Sequence, residues 1–562
     1  MTSPSTHITT DVVVIGSGAA GMYAAIEAAR HGAHALLIDR SLIGRGGATV
    51  MAQMTVAGAL GGADVAAHLA DTLAAGRGLC DQTLAKLLCE EAPECIGEMD
   101  DWGVGWAREG AARKLVPAPG HDKPRCVYVE YLATGTALSR TLRTQVIRTA
   151  AVRRVGEIVI TDLATEGGRC VGAHGIHLPS GAPVSIAARA TIVATGGLTR
   201  LYERNSASAN MGGDGYALAL RAGAELIDME FVQFFPIGHL APRLIGMDPI
   251  MWDAFRYKLG GRLLNGHMQE FVQSYGEASD RYILTRDQAT YAIVREVEAG
   301  RGSPHGGAWL SFTHCAPQAL RAEFGPVIDR LAKNGIDLAK DAVEVAPIAH
   351  YHMGGIRVDA RMRTCVPGLY AAGEAVGGAN GANRLSGNAV TEALVFGRVA
   401  GRAAACQAAQ MTKPDWSDKR LRAFAAERGH EGNAPTPNLA ALIAELQALM
   451  STRVGPFRTR QGLSEALGRI EALRVRIGPA PPDSAGPDPL LLDWLDLRNM
   501  LLTAGAVTRA ALERTESRGA HQREDHPRME DEWCVNLVQT LEGDALRTRR
   551  VPVRQLATAS AA

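Results

Sequence analysis

Two histidines stand two positions apart in the segment AHYHMGGI, residues 349–356. At that spacing His350 and His352 are predicted to point to one side of an extended strand. Two imidazoles so placed could bind a metal, act as a catalytic base, hold an acidic substrate or pack in a core. The segment alone leaves these four roles open.

A glycine-rich segment near the N-terminus, GSGAAG at 16–21, has the spacing of a dinucleotide site. Gly16 permits a tight turn, Gly18 lets the backbone approach a pyrophosphate, and Gly21 lets helix and strand pack closely. The start of the following helix offers free N–H groups to phosphate oxygens. Asp39 stands eighteen residues after Gly21, at the end of the next predicted strand. A carboxylate in that position can accept hydrogen bonds from a ribose. The motif predicts a dinucleotide cofactor without separating NAD from FAD.

The surrounding sequence predicts the elements that position this site. DVVVI at 11–15 and HALLID at 34–39 are strand-like and flank an Ala-rich helical stretch, which makes a βαβ unit. Residues 64–150 have mainly helical apolar spacing, and residues 151–195 change to strand character. Residues 225–345 are mixed and interrupted by Gly and Pro, which indicates an inserted domain.

The composition excludes several classes of function. Of 562 residues, 59 are Lys or Arg and 59 are Asp or Glu, so no net field favours nucleic acid or an anionic membrane. No apolar run of about 18 residues predicts a membrane span, and no signal peptide is recognisable. Nine scattered cysteines without a Cys-x-x-Cys predict neither disulfides nor iron–sulfur ligation within this chain. We therefore expect a soluble, cytoplasmic protein.

Further motifs follow in order along nearly the whole chain. They are RGGATVMAQ at 45–53, ATGGLTRLYERNSASANMGGDG at 194–215, LRAGAELIDMEFVQFFPIG at 220–238, TRD at 285–287, HYHMGG at 350–355, VPGLYAAGEAVGGANGANRLSGNAVTEALVFGR at 366–398 and RTESRGAH at 514–521. Together with GSGAAG they resemble the flavoprotein subunit of succinate dehydrogenase and fumarate reductase, a family that includes L-aspartate oxidase. The resemblance implies an α/β fold with a Rossmann-type FAD-binding domain at 1–225 and 346–408, an inserted α+β capping domain at 226–345 and a helical C-terminal domain at 415–562.

Carried over position by position, the resemblance implies a set of FAD contacts. They are Gly16, Gly18, Ala19, Ala20, Gly21, Asp39, Arg40, Gly46, Gly47, Thr49, Gln53, Thr195, Gly196, Gly197, Asp214, Tyr351, Glu374 and Asn388. Respiratory members attach the flavin covalently through a histidine that precedes the Thr of this loop. Here that position is Ala48, so we expect non-covalent FAD, which favours a reductase or an oxidase over a quinone-linked succinate dehydrogenase.

The resemblance also assigns catalytic residues. Arg286 in TRD matches the family's catalytic arginine, which delivers a proton opposite the flavin. Because a guanidinium holds its proton tightly, that proton has to be replaced quickly. Asp253 and Arg256 have the spacing of the family's Glu-x-x-Arg proton shuttle, with Asp in place of Glu. The alternative is that these two form a surface helix pair of little consequence.

Two substrate positions match the family, and two depart from it. Arg384 matches the carboxylate-binding arginine and His350 the substrate-binding histidine. Phe235 and Asn380 stand where the family has histidines, which weakens one end of the usual C4-dicarboxylate clamp. We hypothesise that His352 or Asn380 takes over part of the clamp, or that the substrate places an apolar group against Phe235. The alternative for His352 is a packed or solvated histidine.

The sequence thus predicts an FAD-dependent oxidoreductase that transfers a hydride to or from a CH–CH or C=C bond of a small carboxylate. One alternative is an L-aspartate-oxidase-like enzyme, although Met353 stands where that branch is expected to have Cys. Another is an electron-transfer subunit that needs an iron–sulfur partner. No metal site, nucleic-acid partner or direct membrane insertion is expected.

Overall fold

The computed structural model describes residues 6–60, 64–245, 247, 250–275, 286–412, 437–479, 481 and 489–556. The helices are α1 (Ala19–Arg30), α2 (Val65–Ala75), α3 (Gln82–Asp101), α4 (Thr134–Arg148), α5 (Asp214–Arg221), α6 (Asp253–Leu259), α7 (Arg286–Glu298), α8 (Pro317–Lys333), α9 (Asn388–Ala409), α10 (Leu439–Arg453), α11 (Arg460–Ile477) and α12 (Pro489–Glu513). The strands are β1 (Thr6–Ile15), β2 (Ala35–Ile38), β3 (Val56–Ala57), β4 (Arg108–Glu109), β5 (Ala112–Arg113), β6 (Cys126–Val127), β7 (Val152–Val155), β8 (Ile158–Glu166), β9 (Arg169–His177), β10 (Ala182–Val193), β11 (Leu226–Ile227), β12 (Val232–Ala241), β13 (Arg262–Leu264), β14 (Ala308–Ser311), β15 (Val343–His352), β16 (Gly355–Ile356), β17 (Leu369–Ala371), β18 (Phe457–Arg458), β19 (Gln522–Arg523), β20 (Val535–Glu542) and β21 (Ala545–Pro552).

The largest sheet is built around the predicted βαβ unit. Its order is β7-β2-β1-β10-β9-β8, and β17 also pairs with β10. Strands β7, β2, β1, β10 and β17 are parallel, whereas β8, β9 and β10 form an antiparallel meander. All four residues of β2 are buried, as expected for a parallel strand covered on both faces. The predicted α/β fold is confirmed.

A second sheet is formed by the part of the chain between β10 and β17, two strands of the first sheet. Its order is β12-β15-β14-β13, and it is antiparallel throughout. Together with α6, α7 and α8 it encloses an apolar core of its own, in which the rings of Trp252, Phe255 and Phe312 pack edge to face or tilted. The strands of this unit run from Val232 to His352. The domain limits expected from the sequence stay a prediction.

The pairing of β12 with β15 contains an irregularity that decides how the two histidines are placed. Gln233 pairs with Tyr351, but the next pair is Phe234 with Ala349. His350 is therefore the extra residue of a β-bulge on β15. A bulge re-aims the side chains next to it, so the regular alternation along the strand is interrupted at this point.

The C-terminal part contains strands as well as helices. Helices α10, α11 and α12 pack together, and β20 and β21 join β11 and β16 in a sheet of order β16-β11-β20-β21. Arg514 follows α12 and is fully buried, where it donates to Glu230 at 2.6 Å and to Glu516 at 3.0 Å. This ion cluster connects the RTESRGAH segment to the residues that precede β12.

None of the helices in the described parts of the chain is long and apolar enough to cross a membrane. All nine cysteines fall within the described residues and are free thiols, so no disulfide joins any two of them.

Candidate cofactor and substrate site

A cleft opens at the carboxyl ends of the parallel strands. The residues that directly follow β1, β2, β10 and β17 all line it, namely Gly16, Asp39, Ala194 and Ala372. Open parallel sheets commonly bind ligands at this edge. The predicted cofactor contacts that line the cleft are Gly16, Gly18, Ala19, Ala20, Asp39, Arg40, Gly46, Gly47, Thr49, Thr195, Gly196, Asp214, Tyr351 and Glu374.

The glycine-rich turn has the geometry that a dinucleotide needs. Gly16 has a φ of +104°, and a Cβ there would lie 2.4 Å from the carbonyl oxygen of Ala194. A Cβ on Gly21 would lie 1.8 Å from the carbonyl oxygen of Gly16, so α1 can approach β1 only with glycine at this position. Gly18 is the N-cap of α1 and makes no side-chain cap, which leaves the helix terminus open to an anion.

Hydrogen bonds fix several polar residues that line this cleft. The two carboxylate oxygens of Asp39 accept hydrogen bonds from the backbone and hydroxyl groups of Ser17 and Ser41, at 2.6–2.8 Å. The Thr49 hydroxyl accepts a hydrogen bond from the backbone N–H of Ala19 at 2.9 Å. An acid fixed at the end of β2 and an open helix terminus fit the ribose and pyrophosphate of FAD. Ala48 also lines the cleft and has no nucleophile.

Arg40 and Asp214 form an ion pair at the cleft wall. The Arg40 guanidinium donates to Asp214 at 2.9 Å and to Asp496 of α12 at 2.9 Å. Asn499 of the same helix donates to Asp214 at 3.0 Å. This network ties the C-terminal helices to the cofactor cleft, a role that the motif did not predict.

Four predicted cofactor residues are not among those that line the cleft. Gly197 packs against Glu374, since a Cβ there would lie 2.4 Å from the carboxyl oxygen. The Gln53 side chain accepts from the backbone of Met251 at 3.0 Å and so links the cofactor loop to the capping unit. Gly21 provides the helix–strand contact described above.

Asn388, the fourth of these residues, is fully buried, and its side chain does not face the cleft. Its amide oxygen lies 2.9 Å from Nε2 of His68, and its amide nitrogen donates to Thr72 at 3.1 Å. The assignment of Asn388 to the cofactor site stays a prediction, and its side chain bonds within the protein. Asn388 holds the start of α9, whose later residues Ala389, Val390 and Ala393 line the cleft.

His350 lies in the cleft at the bulge in β15. Its Nδ1 shares a hydrogen bond of 2.8 Å with the hydroxyl of Ser206, which also lines the cleft. The ring of Phe235 lies 5.4 Å from the His350 ring, centre to centre, and is itself 0 % exposed. Phe235 therefore contributes an apolar wall to His350. Nothing in the sequence indicated the role of Ser206.

Arg384 is buried next to this cleft, with its guanidinium held on two sides. It donates to the side chain of Gln233 at 2.9 Å and to the carbonyl of Leu385 at 3.2 Å. Its guanidinium carbon lies 4.4 Å from the centre of the Tyr351 ring, which lines the cleft. Such a cation–π contact stabilises a desolvated cation by about 2 kcal/mol. Gln233 was missed, although a polar residue inside the apolar run FVQFFPIG was a signal.

Two carboxyl groups lie near Arg384, that of the buried Glu392 and that of Glu374, which is half-buried and lines the cleft. Burial raises the pKa of Glu374 to about 7 and that of Glu392 to about 8. Oε2 of Glu392 accepts hydrogen bonds from the Tyr351 phenol at 2.5 Å and from Asn380 at 2.6 Å. Asn380 thus bonds to Glu392. Glu392 was also missed, although it interrupts an apolar helical stretch.

His352 lies in the protein core. It is 0 % exposed, its Nε2 donates to the carbonyl of Met229 at 3.0 Å, and its Nδ1 lies 3.0 Å from the Tyr216 phenol oxygen. Burial lowers its pKa to about 4, so the ring is neutral at pH 7. The prediction that His352 forms part of a substrate clamp is wrong, because the bulge at His350 separates the two side chains.

The predicted proton-shuttle residues belong to the capping unit. Asp253 begins α6 and is 0 % exposed, and Arg256 is 2 % exposed, so the alternative of a surface pair is wrong. Arg286 is the first residue of α7, and its side chain lies outside the described residues. Among the described residues, no three His, Cys, Asp or Glu side chains are grouped to hold a metal ion.

Comparison with known proteins gives matches along most of the chain. A family model described as an FAD binding domain matches residues 11–390, and one described as fumarate reductase flavoprotein C-term matches residues 443–560. A fumarate reductase flavoprotein subunit of Mycobacterium tuberculosis is 34 % identical over 578 residues, which cover 97 % of this chain and 97 % of that protein. L-aspartate oxidase of Streptomyces coelicolor is 33 % identical over 573 residues, covering 96 % and 93 %. The structure of Mycobacterium smegmatis Sdh1 in complex with UQ1 superposes with a TM-score of 0.87 at 34 % identity, covering 98 % of this chain and 95 % of that one.

Proposed function

The chain belongs to the flavoprotein family of fumarate reductases and succinate dehydrogenases, and on that basis we propose its substrate class and the roles of its residues. It is an FAD-dependent oxidoreductase. We propose that the substrate is a small molecule with a carboxylate next to a CH–CH or C=C bond. FAD would supply or accept a hydride at N5 when bound, and side chains of this chain bind the carboxylate and move the proton.

The placement of Arg384 carries this proposal. A buried guanidinium beside the cleft, fixed by Gln233 and the Tyr351 ring, is suited to hold a planar carboxylate in one orientation. His350 gives a second polar contact, because its bond to Ser206 fixes the orientation of the imidazole in the cleft. Phe235, buried against the His350 ring, offers no polar group at this end of the site, which favours substrates other than a simple C4 dicarboxylate.

We propose Arg286 as the proton donor, with Asp253 and Arg256 replacing its proton from solvent. Helix α7 begins at Arg286, and one turn later Thr290 donates to the carbonyl of Phe234 at 3.4 Å. The start of α7 therefore packs against β12, the strand whose Phe235 ring lies against His350. Reduction of a C=C bond is then balanced by a hydride on one carbon and this proton on its neighbour.

Non-covalent FAD is part of the proposal, because Ala48 stands at the attachment position and lines the cleft. Acid precipitation of the holoenzyme tests it. Release of all flavin into the supernatant is expected, whereas yellow colour that stays with the precipitated protein would contradict it.

We propose an electron-transfer partner as well. The relative from Mycobacterium tuberculosis is named a flavoprotein subunit, which supports a role for this chain in a complex. Affinity purification from the native cell with quantified iron tests the idea. A stoichiometric iron–sulfur protein is expected, and a chain that purifies alone and iron-free would contradict it.

The substrate class is tested by reducing the bound flavin anaerobically and screening unsaturated acids for its reoxidation. Reoxidation by at least one such acid is expected. If none reacts and L-aspartate under air gives peroxide instead, the chain is an amino acid oxidase, as its relative from Streptomyces coelicolor is named.

A further inference from the structure

Glu392 has no part in the function proposed above, yet it is buried directly behind a residue that lines the cleft. We propose that Glu392 is a positioning residue that, in its neutral form, anchors the Tyr351 phenol and thereby fixes the Arg384 guanidinium for a substrate carboxylate. The inference rests on the proposed function, since it takes Arg384 as the carboxylate-binding group.

The contacts form one continuous connection from Glu392 to Arg384. Tyr351 and Asn380 both donate to the same oxygen, Oε2, at 2.5 and 2.6 Å. A carbonyl oxygen has two lone pairs, so a neutral carboxyl group can accept both bonds while Oε1 carries the proton. The ring that is fixed in this way lies 4.4 Å from the guanidinium carbon of Arg384. Loss of the anchor would let the ring, and with it the guanidinium, move.

The neutral form follows mainly from the burial of Glu392, which outweighs its two hydrogen bonds, and then from the charges that face it. They are Tyr351 on β15, Tyr216 on α5, and Glu374 and Arg384 on the segment before α9. The two carboxyl groups therefore share one cation, and the negative charge of Glu374 disfavours a second one on Glu392. The pKa of Glu392, raised mainly by burial to about 8, lies above that of Glu374, at about 7. At neutral pH Glu392 carries the proton.

This arrangement couples substrate binding to the protonation of Glu392. An ionised Glu392 would compete with a substrate carboxylate for the charge of Arg384, and a bound carboxylate would favour the neutral form. Ordinary carboxylic acids are already ionised at pH 7, so the ligand itself does not titrate at higher pH. Affinity for carboxylates is therefore expected to fall as the pH rises through about 8.

The proposal is tested by titrating the oxidised holoenzyme with malonate at pH values between 6.5 and 9.5. The change in flavin absorbance reports binding. Malonate has two carboxylates on one carbon, so it offers no CH–CH bond to oxidise. The dissociation constant of the wild type is expected to rise about tenfold from pH 7 to 9. Glu392→Gln, neutral at every pH, is expected to bind like the wild type at pH 7 and to lack this rise.

Two further variants separate positioning from simple structural damage. Glu392→Leu removes the acceptor of both hydrogen bonds and is expected to weaken binding about tenfold or more at every pH, with Gln restoring it. Tyr351→Phe keeps the ring without its anchor and is expected to bind more weakly at pH 7. Glu542→Gln, at an exposed carboxyl, is the matched control and should follow the wild type.

The inference is overturned if Glu392→Gln keeps the pH dependence of the wild type, or if it binds as weakly as Glu392→Leu at pH 7. In both cases the proposed function stands as long as Arg384→Gln abolishes malonate binding. If the wild type does not bind malonate, or if Arg384→Gln binds it equally well, the carboxylate site itself is wrong, and the role of Glu392 fails with it. If Glu392→Leu does not retain FAD, Glu392→Gln and Tyr351→Phe still test the inference. Weaker malonate binding by Tyr351→Phe than by Glu392→Gln at pH 7 supports it, and equal binding overturns it.

Discussion

His350 and His352 stand two positions apart in β15, yet their imidazoles occupy separate environments. His350 lies in the cleft with its Nδ1 bonded to Ser206, whereas His352 is 0 % exposed and donates to the carbonyl of Met229. The β-bulge at His350 separates them. One strand segment therefore supplies a side chain to the candidate substrate site and, immediately after, one to the core.

Substitution of the two histidines should give opposite phenotypes. His352→Leu leaves the buried carbonyl of Met229 without its donor, which should lower the free energy of unfolding by about 1–3 kcal/mol. His350→Gln should leave the melting temperature close to that of the wild type and weaken carboxylate binding instead. Thermal melts and malonate titrations of the two variants check this, and equal loss of stability in both would contradict the separation.

Substitution of two glycines should distinguish loss of the cofactor from backbone strain alone. Gly16→Ala forces a Cβ to within 2.4 Å of the Ala194 carbonyl at a φ of +104°, so the variant should lose FAD and stability together. Gly32→Ala is the matched control, since it has a φ of +83° but open space around its Cβ. It should cost about 1 kcal/mol and keep a normal ratio of flavin to protein. Flavin loss in both variants alike would contradict the assignment.

Gln233 should matter for substrate affinity because its side chain accepts a hydrogen bond from Arg384 at 2.9 Å. A hydrogen bond to a charged group contributes about 1.5–3 kcal/mol, so Gln233→Leu should weaken carboxylate binding roughly tenfold to a hundredfold. Gln233→Glu should weaken it further, since a carboxylate there would pair with Arg384. Titration with malonate gives the order of the three proteins, and tighter binding by Gln233→Glu than by Gln233→Leu would contradict the argument.

The raised pKa of Glu392 predicts how stability depends on pH. The folded protein keeps a proton on Glu392 up to about pH 8, whereas the unfolded chain releases it near the ordinary value of 4.5. Stability from this group is therefore fully present below 4.5 and is lost as pH rises, by about 1.4 kcal/mol per pH unit, until about pH 8. Relative to the wild type, Glu392→Gln should gain stability between pH 5 and 8 in denaturant unfolding. A constant difference across that range would contradict the shift.

Much of the cofactor site was predictable because it depends on local sequence. Gly16 and Asp39 stand at fixed distances within one βαβ unit, and a tight turn leaves few alternatives to glycine. The family motifs likewise pointed to Arg384 and His350, whose substrate roles stay a prediction. What the sequence could not give was contacts between distant segments, such as Ser206 with His350 or Glu392 with Tyr351.

The error at His352 has a physical cause. His352 was a candidate for the clamp because Phe235 departs from the family and because a regular strand would turn His352 to the same side as His350. One bulged residue changes that alternation without any mark in the sequence. Asn388 matches a cofactor position of the family, and its side chain turns back to His68 and Thr72. At both positions the direction of the side chain depends on tertiary contacts that the motif does not reveal.

The most direct test of the central claim is the rate at which unsaturated carboxylic acids reoxidise the reduced flavin under anaerobic conditions, for the wild type and for Arg384→Gln. The account predicts fast reoxidation by at least one acid, with a second-order rate constant at least about 100-fold lower in the variant, because a buried charge that pairs with the substrate is removed. The FAD content of the two proteins should be equal. Reoxidation of both at the same rate, or by no acid at all, would contradict the account.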